Sequence, residues 1–125
     1  MILAINTASE NVSIALYQPG KIAEEFSWIS YRTQSAELLP KINQLLKDND
    51  LTLKDIKKIA VFQGPGSYTG LRVGIAAANS LAVCLSIPIM GYKSSNNISA
   101  FEIAKKVFAK ENLSKKIVLP FYLNK

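Results

Sequence analysis

A change of hydrophobic period near residue 30 constrains the fold of this chain more than any single motif does. Before it, Ile2-Leu3-Ala4-Ile5 is a short apolar run, and Val12, Ile14 and Leu16 alternate with Ser13, Ala15 and Tyr17. Gln18-Pro19-Gly20-Lys21 then turns the chain into a run from Ile22 to Trp28. Alternation with period two marks a strand with one buried face, and a Pro-Gly turn between two such runs marks a hairpin. The first 28 residues therefore read as three consecutive strands that are antiparallel neighbours.

After the change, Leu38, Leu39, Ile42, Leu45 and Leu46 recur at three- and four-residue steps, the stripe of an amphipathic helix. Thr33 or Ser35 is placed to cap it, and Pro40 demands a position in about the first turn, because a deeper proline removes a hydrogen bond. Lys58 to Phe62 reads as a strand, Ser67 to about Leu85 as a helix, and Ile87 to Gly91 as a brief strand. Asn97 to Lys110 follows as a helix with Ile98, Phe101, Ala104, Val107 and Phe108 on one face, and Ile117-Val118-Leu119 lies in a last strand. Strands separated by helices pair in parallel. The order predicts an α/β fold: one mixed sheet of three antiparallel strands and then parallel strands, flanked by helices. The length suits a single domain, 1–125, with 117–125 as a closing strand or tail.

Composition narrows the chemistry. The chain has no histidine, so Ser-His-Asp and Cys-His catalysis and His-bearing zinc sites are excluded within it. The lone Cys84 lies in an apolar run and reads as a small core residue. The nine carboxylates show no paired metal-ligand spacing, so no metal site is expected. The run from Val73 to Met90 is broken by Asn79, Ser80, Ser86 and Pro88, which argues against a membrane span and for a soluble, cytoplasmic chain. Net charge is +6, and Lys105, Lys106, Lys110, Lys115 and Lys116 make the last third basic. That cluster suits either nucleic acid or a solvated helix face; no aromatics are interleaved with it as a single-strand platform needs.

Between the fourth strand and its helix stands Gly64-Pro65-Gly66-Ser67-Tyr68-Thr69-Gly70. A phosphate-binding GxxxxGK[ST] loop fails here because Leu71 follows Gly70, and the GxGxxG fingerprint fails because the third glycine arrives one residue late. The loop still offers backbone amides at a helix N-terminus, with Ser67 and Thr69 as caps. Two readings stand: a weak anion site, or a rigid strand-to-helix turn. Beyond it, Gly70, Gly74, Ala78 and Ala82 form a ridge almost without side-chain volume. It can admit a partner's helix or pack on the chain's own sheet.

Three segments together carry a resemblance: Ile2-Leu3-Ala4-Ile5-Asn6-Thr7-Ala8-Ser9, Leu38-Leu39-Pro40, and Gly64-Pro65-Gly66-Ser67-Tyr68-Thr69-Gly70-Leu71-Arg72-Val73-Gly74. They resemble the bacterial TsaB (YeaZ) family over about the first 110 residues. The resemblance implies an RNase H-like fold of the actin-like ATPase superfamily. It also implies a non-catalytic scaffold of the tRNA N6-threonylcarbamoyladenosine transferase, which supports the paralogue TsaD and is joined by the ATPase TsaE. ATP and a metal ion are expected on those partners and none on this chain alone, with tRNA met only through the complex. The self-contained alternative is a small nucleotide-binding ATPase or kinase-like protein.

The chain departs from the family pattern where members carry an aspartate in the first strand-turn, here Asn6, and a histidine in the first helix, here Gln34. It also lacks the second lobe, either as a minimal form keeping the Pro120-Phe121-Tyr122-Leu123 ending or as a fragment. The expected partner-binding residues are Leu39, Ile42, Leu46, Gly70, Leu71, Gly74, Ala78 and Leu81, on two helices lying side by side and serving a homodimer when the chain is alone. Asn6, Thr7, Gly64, Gly66, Ser67 and Thr69 are the candidates for a vestigial nucleotide site.

Overall fold

The computed structural model describes residues 1–30, 34–66 and 68–109. Five strands form one sheet: β1 (Ile2–Asn6), β2 (Asn11–Gln18), β3 (Ile22–Ile29), β4 (Lys58–Gly64) and β5 (Ile89–Lys93), in the order β3-β2-β1-β4-β5. β1 pairs antiparallel with β2 and parallel with β4; β2–β3 is antiparallel and β4–β5 parallel. This is the mixed sheet expected, with its antiparallel hairpin on one side and its helix-linked strands on the other. The expected strand and tail at 117–125 lie outside the described residues.

Among the described residues, three α-helices cover the sheet: α1 (Gln34–Asp48), α2 (Tyr68–Leu85) and α3 (Ala100–Phe108). Adjacent residues of β1 show which faces they take. Asn6 bonds to the segment leading into α3, whereas Thr7, just past the strand, bonds to α2. Successive side chains of a strand point to opposite faces, so α2 and α3 lie on opposite sides. α1 packs beside α2. Its Glu37 accepts hydrogen bonds from Trp28 Nε1 and Ser30 Oγ, and its Lys41 ammonium sits 5.2 Å and 5.5 Å from the rings of Phe26 and Trp28.

Coverage on both faces explains why Ile2-Leu3-Ala4-Ile5-Asn6 is buried throughout, as centrally placed strands in such layers are. It also corrects the one-sided reading of β2, whose Ser13 and Ala15 are buried as well as Val12, Ile14 and Leu16. α1 buries Leu38, Ile42, Leu45 and Leu46, each contributing about 1.5–3 kcal/mol of burial. That stabilisation tolerates Pro40 well inside the helix rather than in its first turn. Ala36 and Pro40 are both exposed, so the carbonyl left without its amide faces water.

α3 begins three residues later than expected because Ser99 is its cap: the Ser99 hydroxyl accepts from Glu102 N. Ala100 N donates to Ser13 Oγ and Phe101 N to Glu25 Oε2, which ties this helix to β2 and β3. Its buried face is Ala100, Ile103, Ala104 and Val107. Phe108 is exposed, and both Phe101 and Phe108 meet the ring of Tyr17 edge-on. β5 starts two residues after the expected point, beyond Pro88, which has no amide to give to a ladder. β3 is an edge strand, and its residues Ala23 to Ser27, Glu24 and Glu25 among them, are exposed.

Candidate functional site

The end of β1 carries Asn6 and Thr7, two of the residues expected to form a vestigial nucleotide site. Asn6 is 3% exposed. Its Nδ2 donates to Asn97 Oδ1 at 2.7 Å and to Ile98 O at 2.5 Å, while its Oδ1 accepts from Ala8 N at 2.9 Å. Thr7 is equally committed: its hydroxyl donates to Gly70 O at 2.5 Å and accepts from Gly74 N at 3.1 Å. Asn6 and Thr7 thus fasten the two helical layers to the sheet. Among the described residues, no group of three or more Cys, Asp or Glu side chains is arranged to hold a metal ion.

The glycine loop is built for close approach. Gly64 has φ 114°, a region that favours glycine, and the Gly64–Pro65 peptide is cis. Gly66 lies against the turn after β1: a Cβ there would stand 2.7 Å from Ala8 Cβ. Gly66→Ala is therefore expected to lower stability by about 1–3 kcal/mol, since either backbone must shift to admit a methyl group. Urea unfolding of the two proteins measures it, and an unchanged midpoint would show the contact to be slack. Thr69 is exposed in the first turn of α2; the expected Ser67 cap lies outside the described residues.

The small-residue ridge turns inward, unlike the outward ridge expected. Gly70, Gly74, Ala78 and Ala82 are buried, and a Cβ on Gly74 would collide with Thr7 Oγ1. Leu71, Ile42 and Leu46 are buried too. Of the eight residues expected to meet a partner, only Leu39 and Leu81 reach the surface. The lost side chains let α2 settle closely onto β1 and β4, which is the second of the two readings of that ridge.

A different face of the same two helices is open. α1 and α2 do lie side by side, and between them runs a groove of about 680 Å³ lined by Leu38, Leu39, Val73, Ala76, Ala77, Leu81 and Cys84, with Ser35, Thr69, Arg72 and Ser80 at its polar positions. Cys84 belongs to this exposed face, not to the core. Leu39 is 46% exposed, and Val83, also on α2, is 71% exposed. Sequence reasoning missed Val73, Ala76 and Ala77, although 73, 76–77, 80–81 and 84 repeat at helical spacing. The signal was hidden because α2 is apolar nearly all round, with Arg72 its one charge. Such a helix is ordinarily buried on every side. No helix among the described residues is long and apolar enough to cross a membrane.

Comparison with known proteins agrees with this architecture. A family model described as TsaD, tRNA N6-adenosine threonylcarbamoyltransferase, matches residues 28–101, more than half of the chain. The tRNA threonylcarbamoyladenosine biosynthesis protein TsaB of Bacillus subtilis is 37% identical over 99 residues, covering 79% of this chain and 43% of that protein. The TsaB of Escherichia coli is 38% identical over 90 residues, covering 72% of this chain and 38% of its own length. Among solved structures, YeaZ from Pseudomonas aeruginosa superposes with a TM-score of 0.70 at 32% identity, over 74% of this chain and 43% of that one. The chain spans about two fifths of the length of these relatives. With the sheet order, the glycine loop and the family match in agreement, this chain belongs to the TsaB/YeaZ family.

Proposed function

We propose that this chain is a non-catalytic scaffold subunit in the biosynthesis of tRNA N6-threonylcarbamoyladenosine, and that it docks a TsaD-type paralogue through the open face of α1 and α2. The observation that carries the reading is the groove itself. A largely apolar strip between two side-by-side helices, with Arg72 as its one charge, faces solvent, and contiguous apolar surface of this kind marks a protein-binding site. The relatives' names point to the pathway, and the match to the TsaD family model points to a paralogue of similar architecture as the partner.

In this reading ATP, the metal ion and the tRNA are handled by the paralogue and by the ATPase TsaE, while this chain supports the paralogue's fold. Alone, two copies pair through the same strip, because a surface complementary to its own near-copy is close to self-complementary. The self-sufficient ATPase alternative gains nothing from the site, where the Asn6 amide and the Thr7 hydroxyl are both spent on internal bonds. Co-expression with a tagged TsaD is expected to yield one complex through size-exclusion chromatography, and the modified nucleoside in bulk tRNA is expected to depend on this chain. Separate elution of the two proteins at micromolar concentration would overturn the proposal.

A further inference from the structure

We propose that Asn6 is an amide latch that holds the approach to α3 closed against the end of β1, and that it makes this position unfit for a metal-bound phosphate. The resemblance to actin-like ATPases implies a nucleotide here, held with the help of a carboxylate. The neutral amide is not simply a carboxylate with its charge removed. It faces the carbonyl of Ile98 and Oδ1 of Asn97 with its two N–H groups, and it offers its oxygen to Ala8 N.

The orientation of the amide is fixed by its neighbours. Ala8 N can only donate and Ile98 O can only accept, so oxygen and nitrogen each have one permitted place. A carboxylate at residue 6 has no hydrogen for Ile98 O and would oppose it with a second acceptor in a site that is 3% exposed. The surroundings have thus been built around a donor, where cation binding calls for oxygen.

The neighbouring anion-receiving element is closed in the same way. The first free amides of α3 attract negative charge, as helix N-termini do. Here Ala100 N is taken by Ser13 Oγ, Phe101 N by the Glu25 carboxylate and Glu102 N by Ser99 Oγ. A phosphate arriving on this side of the sheet meets amides already occupied and a carboxylate already in place. The residues present do not fit the nucleotide that the fold class implies.

Three proteins test this: the full 125-residue chain, Asn6→Asp and Asn97→Ala. Thermal unfolding is followed with and without millimolar MgATP, and amide exchange is followed at Ala100, Phe101 and Glu102. The Tm of the parent chain is expected to ignore MgATP, whereas a ligand at a hundred times its Kd would raise it measurably. Asn6→Asp is expected to lower Tm by about 5–10 °C, with no recovery in MgATP. Asn97→Ala, a change at an exposed residue, is expected to speed exchange at the three amides by about three- to tenfold. A variant Asn6→Asp as stable as the parent, or a Tm raised by MgATP in either protein, would overturn the proposal. Where Asn6→Asp does not fold, the exchange of Asn97→Ala decides, and unchanged protection there rejects the latch.

Discussion

Gly74→Leu is expected to remove most of the stability of the domain, with a loss of about 4 kcal/mol or more against a total of about 5–15 kcal/mol. Two effects oppose one another at this residue. Replacing a mid-helix glycine contributes at most about 1 kcal/mol in helix propensity. Against that, the first added carbon collides with Thr7 Oγ1, and the Thr7 hydroxyl is itself held by Gly70 O and Gly74 N. Leucine forces the bond apart and lifts α2 from β1, so the collision wins. Urea unfolding followed by circular dichroism checks it, and Gly74→Ala in the same series should fall between parent and leucine variant. A folded Gly74→Leu of near-parental stability would mean that α2 is free to slide. The same result bears on binding experiments: loss of a partner in this variant reports a broken fold, not a broken contact.

Leu39→Glu is expected to do the reverse. Leu39 is half-exposed on the outer side of α1, so the substitution should change stability by no more than about 0.5–1 kcal/mol. In the proposed complex the same carboxylate would be buried unpaired at the centre of the apolar strip, a loss of at least about 3 kcal/mol, or more than a hundredfold in affinity. Retention of TsaD on a column charged with the variant, together with a melting curve, separates the two effects. A variant that melts like the parent and still holds TsaD would place the contact elsewhere on the molecule. Self-association, measured by sedimentation, is expected to fall with it, because the proposal gives both pairings one surface.

The layer order was legible in the sequence because period two and period 3.6 are set by backbone geometry before any tertiary contact exists. The boundaries were less so, and each shift has a local cause. The third helix was expected from Asn97, but that side chain is spent on Asn6, and Ser99 caps the helix instead. Pro40 sits deeper than propensity allows because four buried side chains of α1 outweigh one missing hydrogen bond. The ridge on α2 was recognisable as a place of close approach; its direction was not. A stripe of small residues says that something comes near, and only the position of Thr7 shows that the neighbour is the chain's own first strand. Cys84 was misplaced for a related reason: on a helix apolar all round, hydrophobicity no longer distinguishes inside from outside.

The acidic side chains on β3 bear on the size of any assembly this chain can form. An edge strand of eight residues is long enough to recruit a copy of itself, and sheets joined edge to edge need not stop at two. Glu24 and Glu25 put two exposed carboxylates on this strand, and charge on an edge discourages its pairing with a second edge. Growth along the sheet is thereby discouraged, while the largely apolar strip between α1 and α2 remains open. In the pairing proposed through that strip, the acidic edge of β3 favours a closed, isologous pair over growth along the sheet.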